Sequence, residues 1–220
     1  MQRVSPPSPW WALNCHGMCQ LTLGLPESAL AAFQRALPLA PTRNYEGAAL
    51  NNLSQIYQAR GDYDTALRYL EQSLMIQREI GDKAGEGVGL SNLGQIYDAR
   101  GDYDTALRYL EQSLTIQREI GDKASLVVTL HNMGLIAWQA DNGERAMTLW
   151  LEAITIAIET QNTQGIFHTA STLGQVLASA EAPAQARQFL QLAVQVGNAA
   201  GFPEVQEVEA ELRRLPPAEV

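Results

Sequence analysis

Three asparagines recur along the chain at a fixed interval, since Asn52, Asn92 and Asn132 lie 40 residues apart. A carboxamide donates and accepts hydrogen bonds, so it can pair with the N–H and C=O of a peptide bond. Asparagine is also a mediocre residue inside a helix, because its side chain competes for backbone hydrogen bonds. The pattern therefore indicates recognition of a peptide backbone as the chemistry that these side chains could perform.

Recent duplication of one unit is a second explanation for the same pattern. Residues 50–89 and 90–129 are identical at 32 of 40 positions, and both contain the segment ARGDYDTALRYLEQSL. Duplication accounts for Asn52 and Asn92. It accounts less well for Asn132, whose repeat has diverged at most other positions, so both explanations stay open.

Catalytic and metal-binding arrangements are not evident in the sequence. The three histidines have no Ser, Cys or carboxylate partner at a recognised spacing. The glycine-rich residues 85–89 lack the Lys-Ser/Thr ending of a phosphate-binding loop. Cys15 and Cys19 do not have zinc or haem spacing, and we interpret them as two small buried hydrophobic residues. The sequence predicts neither an enzyme nor a metal or other cofactor.

Composition limits the possible partners. The 220 residues carry a net charge of -9, and 46% of them are hydrophobic, which is enough to build a core. A nucleic-acid surface needs clustered Lys and Arg, so we expect no nucleic-acid partner. The start of the chain lacks the apolar run of a signal peptide, and no stretch approaches the ~20 apolar residues of a membrane span. We therefore expect a cytoplasmic protein with no membrane partner.

Hydrophobic spacing within each 40-residue unit predicts a pair of helices. Leu50, Leu53 and Tyr57 follow the i, i+3, i+7 pattern of a buried helical stripe. Gly61 is suited to the left-handed conformation that ends a helix, and Asp62 is suited to capping the next one. The same signals return in the following unit. Small residues should lie where paired helices approach most closely, as with Gly94.

The whole chain divides into five such pairs. We expect a disordered lead-in over residues 1–9, repeats at about 10–43, 46–82, 83–122, 123–161 and 163–201, a capping helix over 203–215 and a disordered tail over 216–220. The capping helix places Val205, Val208 and Leu212 on one side and charged residues on the other. That amphipathic pattern is what an end cap of a repeat array requires.

These repeats resemble the tetratricopeptide repeat family, whose pattern combines Leu-Gly-x-x-Tyr, Ala-x-x-x-Phe and a terminal Pro. The matching residues are Leu90, Leu93, Gly94, Tyr97, Ala106, Leu110 and Ser113 in the third repeat, and Leu13, Gly17, Ala29, Phe33, Ala36 and Pro41 in the first. Ser54 departs from the pattern. The 40-residue period is similar to the extended-helix subtype of kinesin light chains, Pins-like adaptors and bacterial signalling proteins. The resemblance implies an all-α fold, a right-handed superhelical solenoid of about five repeats plus a C-terminal capping helix.

The resemblance also places a candidate site, because in this family the first helix of each repeat lines a concave groove. At about 100° per residue, the polar residues of these helices lie opposite the apolar stripe. The candidates for a peptide-binding groove are Asn51, Asn52, Gln55, Gln58, Ser91, Asn92, Gln95, Asp98, His131, Asn132, Trp138 and His168. In related proteins an asparagine ladder here grips an extended peptide, and the same is implied for this chain. The family's carboxylate clamp is not expected, since the corresponding Lys and Arg residues are absent from the second to fourth repeats.

Two functions of different class remain open. The first is a non-catalytic adaptor that binds a protein or peptide in the groove. The second is a self-assembling scaffold, or a sensor fragment of a larger signalling protein, which would associate through its N-terminal repeat. Trp10 and Trp11 favour the second, because no polar capping helix precedes them.

Overall fold

The computed structural model describes residues 9–216, and the fold is all-α. The helices are α1 (Pro9–Thr22), α2 (Pro26–Ala36), α3 (Arg43–Ala59), α4 (Tyr63–Ile80), α5 (Lys83–Ala99), α6 (Tyr103–Ile120), α7 (Lys123–Gln139), α8 (Gly143–Glu159), α9 (Thr163–Ser179), α10 (Pro183–Ala200) and α11 (Val205–Arg214), with a short 3₁₀ helix at Leu37–Leu39. The predicted lead-in lies outside the described residues except for Pro9, which begins α1. The predicted tail lies outside them except for Pro216.

The described residues form two compact units, which are divided between Ile116 and Gln117. In both units consecutive helices pack as pairs, which is the all-α helical repeat fold predicted from the sequence. Each pair is a first helix (α1, α3, α5, α7, α9) followed by a second helix.

The helix ends follow the predicted glycine–aspartate signals. Gly61 and Gly81 adopt left-handed conformations, with φ of 75° and 72°. Asp62 accepts a hydrogen bond from the Thr65 N–H at 3.2 Å, and Asp82 accepts one from the Gly85 N–H at 2.9 Å. Because these bonds satisfy otherwise unpaired N–H groups, they fix where the next helix begins.

In the first unit, aromatic stacking and buried aliphatic residues hold the pairs together. Tyr57 stacks on Tyr69 with ring centroids 5.5 Å apart, and Tyr97 stacks on Tyr109 at the same 5.5 Å. A Cβ atom on Gly94 would lie 2.6 Å from Leu110 Cγ, so the close helix approach predicted at this glycine is confirmed.

Helix α1 corrects the prediction for its cysteines and leaves only one of its two tryptophans available for self-association. Cys19 is exposed, so the prediction that both cysteines are buried is wrong. Trp10 is only 4% exposed and its ring lies 4.4 Å from that of Tyr45, whereas Trp11 is 53% exposed. The reason is orientation, since α1 packs through the face that carries Trp10 and Gly17 and leaves Trp11 and Cys19 on its outer side.

Ser54 occupies the position of Gly94 in the preceding repeat, and its buried hydroxyl has no hydrogen-bond partner among the described residues. A buried, unsatisfied polar group costs about 1–3 kcal/mol. We therefore expect Ser54→Ala to raise the free energy of unfolding by about 1 kcal/mol in urea titrations. Ser73→Ala is the matched control, because the Ser73 hydroxyl is also buried but donates to the Gly47 carbonyl at 2.8 Å. Ser73→Ala should destabilise, and stabilisation by both changes would contradict this interpretation.

In the second unit the core surrounds Trp150, which is completely buried. Val205 and Val208 of α11 join this core, and Leu212 packs against it, so the apolar side predicted for the last helix faces inward. Three turns of this unit use non-glycine residues in the left-handed region, namely Asp141, Gln161 and Glu181, with φ of 58°, 54° and 55°.

Candidate functional site

In the first unit, carboxamides link neighbouring first helices. Asn52 Nδ2 of α3 donates to Asn14 Oδ1 of α1 at 3.2 Å. Asn92 Nδ2 of α5 donates to Asn51 Oδ1 of α3 at 2.9 Å. Asn51, Asn52 and Asn92 are candidates from the sequence, but their hydrogen bonds to neighbouring carboxamides are not evident from it. Asn14 was not among the candidates. It lies three residues before Gly17, as Asn51 lies three residues before Ser54, and this repeat register could have identified it.

These bridges leave part of each carboxamide available. A carboxamide has two N–H donors and an oxygen acceptor. Asn52 and Asn92 each use one donor in a bridge, which leaves each with a second donor and its oxygen. Both side chains are half-buried. The geometry therefore presents oriented groups of the kind that pair with a peptide bond.

The other candidates of the first unit differ in exposure. Gln55 is exposed, and Gln58, Gln95 and Asp98 are half-buried, with burial raising the pKa of the Asp98 carboxyl. Ser91 is only 6% exposed, so it offers little surface to a ligand.

In the second unit, one pocket collects three of the predicted residues. His131 and Asn132 of α7 and His168 of α9 line a cavity of about 270 Å³. Further lining residues that the sequence analysis missed are Val127, Val128, Asn162, Gln164, Gly165 and Thr169. The periodicity of a single helix does not reveal these residues, because the pocket forms where two first helices meet. Trp138 is not among the lining residues; its ring lies 6.2 Å from that of Trp150, and 41% of the residue is exposed.

The pocket holds an imidazole that is neutral at physiological pH. Burial, and to a lesser extent the neighbouring His168, lowers the pKa of the His131 imidazole to about 4. His131 Nδ1 lies 3.3 Å from the Thr169 hydroxyl, and Thr169 itself is 1% exposed. A neutral imidazole carries one donor and one acceptor nitrogen. His131 can therefore form hydrogen bonds with a polar ligand group without supplying charge.

The lowered pKa makes the second unit sensitive to acid. An unfolded histidine titrates near 6.5, so between that pH and about 4 the unfolded chain binds more protons than the folded one. Stability must therefore fall as the pH is lowered through this range. We expect the free energy of unfolding to fall by on the order of 2 kcal/mol between pH 7 and 4. His131→Gln should not show this fall when its free energy of unfolding is measured by urea titration at each pH. If the free energy of unfolding of that variant depended on pH as strongly as in the wild type, His131 would not be the source of the acid sensitivity.

Neither a metal centre nor a membrane helix is found in the part of the chain that the structure describes. Within residues 9–216, no three His, Cys, Asp or Glu side chains are grouped so that they could hold a metal ion. Across the same residues, no helix has the length and apolar character needed to traverse a bilayer.

Comparison with known proteins identifies the type of repeat. A family model described as Tetratricopeptide repeat matches residues 11–79 and 45–119. A second family model, described as Anaphase-promoting complex subunit 5, matches residues 96–179. No curated protein matches the chain.

Solved structures share the fold at low sequence identity. The Rap conjugation gene regulator of plasmid pLS20, solved in complex with the Phr* peptide, has a TM-score of 0.82 and 15% identity over 96% of this chain. A signal transduction ATPase with a tetratricopeptide repeat sensor from Pyrococcus horikoshii has a TM-score of 0.77 and 18% identity over 91% of the chain. The chain spans 60% and 31% of these two proteins. A putative kinesin light chain repeat protein from Podosopora anserina, covered over its full 100%, has a TM-score of 0.64 and 17% identity over 96% of this chain.

Proposed function

Because the chain is a tetratricopeptide repeat protein, we propose that it is a non-catalytic adaptor that binds an extended peptide on the first helices of its repeats. One observation carries this proposal: the carboxamides of Asn52 and Asn92 are held in place by Asn14 and Asn51 while keeping a free donor and acceptor each. In the second unit, Asn132 lies at the corresponding repeat position and lines the pocket.

Preorganisation is the physical reason that these bridges favour binding. Immobilising a flexible side chain on association costs about 0.5–1.5 kcal/mol. The Asn–Asn bonds have already restricted these side chains in the free protein, so much of that cost falls on folding and not on binding. Contacts to backbone groups are tolerant of sequence, which suits an adaptor that recognises an extended segment.

A likeness of fold supports the same proposal. The pLS20 Rap regulator was solved with a peptide bound, and this chain shares its fold over 96% of its own length. We propose that the present chain likewise takes a peptide, with the identity of that peptide set by the side chains around the carboxamides.

Removal of the three recurring carboxamides tests the proposal. We expect Asn52→Ala/Asn92→Ala/Asn132→Ala to abolish peptide capture from a bead-bound library of random capped decapeptides, with unchanged helicity by circular dichroism. The matched control, Gln72→Ala/Gln112→Ala/Asn198→Ala, removes three exposed carboxamides from second helices and should bind like the wild type. Equal capture by the two triple variants would refute the adaptor site.

The outer side of α1 favours self-association as a second candidate function. Trp11 and Met18 are 53% and 46% exposed and lie seven residues apart on that helix. We propose that, if the chain is a scaffold, a second copy covers this side. Sedimentation equilibrium should then show a dimer that Trp11→Glu converts to a monomer, and a wild-type protein that stays monomeric at high concentration would exclude it.

A further inference from the structure

The contact between adjacent first helices differs between the two units. In the first unit, the Asn51–Asn92 bond at 2.9 Å joins α3 to α5. The same two repeat positions on α7 and α9 carry His131 and Thr172. His131 Nδ1 instead lies 3.3 Å from the Thr169 hydroxyl. The carboxamide bridge is thus absent between α7 and α9, and a pocket lined by His131 and Thr169 lies between these two helices.

The size of that space indicates what it can hold. The cavity is about 270 Å³. A cavity of about 150 Å³ is enough for a benzene molecule, whereas pockets for drug-sized ligands measure about 300–1,000 Å³. The pocket therefore has room for one aromatic side chain and is small for an independent small-molecule ligand.

The lining determines the chemistry of the occupant. Val127 and Val128 provide apolar surface, and His131, Asn132, His168 and Thr169 provide hydrogen-bonding groups. The lining contains no Asp, Glu, Lys or Arg. A charged side chain would lose its hydration here without gaining an ion pair, which is unfavourable. An apolar ring with a polar tip satisfies both kinds of surface.

We propose that the pocket between α7 and α9 is a specificity pocket, which receives one tyrosine or tryptophan side chain of the bound peptide. The inference rests on the proposed peptide-binding function and adds the class of side chain that the site selects. The ring lies against the two valines, and its O–H or N–H group forms a hydrogen bond with the His131, Asn132 or His168 side chain. The neighbouring first-helix carboxamides hold the peptide backbone.

Filling the pocket from one of its own lining residues tests the proposal. Val128 lines the pocket and is 50% exposed, so Val128→Trp should place a ring in the cavity without disturbing the core. The probe is a positional library of capped decapeptides with one fixed residue in an otherwise random sequence. Wild-type protein should prefer tyrosine or tryptophan over alanine at one position by about tenfold, which corresponds to about 1.4 kcal/mol. The Val128→Trp variant should lose that preference while still capturing the library as a whole.

His168→Val provides a second variant that does not depend on closing the cavity. His168 is exposed, and the preceding repeats carry Val88 and Val128 at this position, so the fold should tolerate the change. We expect a weaker preference for tyrosine and tryptophan and the same total capture. Peptide capture by the wild type without an aromatic preference, or an aromatic preference that persists in Val128→Trp, would refute the specificity pocket but not the adaptor function. Failure of the wild type to capture any peptide would overturn both.

Discussion

Trp150→Ala is expected to lower the free energy of unfolding by about 3–5 kcal/mol, as large-to-small changes of buried aromatic residues do. Trp150 is 0% exposed, and its indole N–H donates to the His131 carbonyl at 3.1 Å. The substitution removes this hydrogen bond and opens a cavity in the core of the second unit. Loss of more than about 3 kcal/mol is a large share of the 5–15 kcal/mol that holds a typical domain folded.

Urea titration followed by circular dichroism measures this loss, with Trp150→Leu as the matched variant. Leucine is the residue at the corresponding positions 70, 110 and 190, so its shape suits the repeat. It leaves a smaller cavity than alanine does, and we expect it to cost clearly less. Equal losses for the two variants, or a loss below about 1 kcal/mol for Trp150→Ala, would show that the indole is not a main contributor to the core.

Gly134→Ala is the second large expected effect, and it acts by overpacking. A Cβ atom at this position would lie 2.3 Å from Trp150 Nε1. The indole is buried and hydrogen-bonded, so it cannot move aside as a flexible side chain would. Overpacking of a core costs about 1–3 kcal/mol, and we expect a loss at the upper end of that range.

Gly47→Ala is the control for this prediction, because Gly47 is also a buried glycine within a first helix. A Cβ atom there would lie 3.4 Å from Ile76 Cγ2, which is an ordinary contact. Alanine is a better helix former than glycine by up to ~1 kcal/mol, so this change should be neutral or stabilising. In urea titrations, Gly134→Ala should therefore lower the free energy of unfolding, whereas Gly47→Ala should leave it unchanged or raise it. A similar loss for both variants would refute the steric argument.

Local signals predicted the helices well, because they depend on residues close together in sequence. The Gly61–Asp62 and Gly81–Asp82 pairs end one helix and cap the next as expected. Gln161 and Glu181 have the same left-handed geometry but lack the glycine signal. Their left-handed conformation could have been predicted only from their position, 40 residues after Gly121 and Asp141. The packing of the repeat imposes this conformation even on residues that do not favour it.

The candidate site was predictable only in part, because its geometry depends on adjacent helices. Helical rotation places Asn52 and Asn92 on the polar face, but their bonds to Asn14 and Asn51 depend on how closely neighbouring first helices pack. The same limitation explains Ser91, which shares that arc and yet is buried. Likewise, the exposure of Cys19 depends on which face of α1 packs, and helical spacing alone does not fix that choice.

The two identical tyrosine stacks have a consequence for how the chain reaches its native state. Residues 59–74 and 99–114 have the same sequence, so α3 could pair with the α6 segment much as it pairs with α4. Tyr57 would then stack on Tyr109 with little loss of local contact energy. Such near-degenerate pairings create kinetic traps in repeat proteins. Loop length favours the correct pairing of α3 with α4. Closing the short turn between them costs less chain entropy than closing the longer loop that a pairing of α3 with α6 would require.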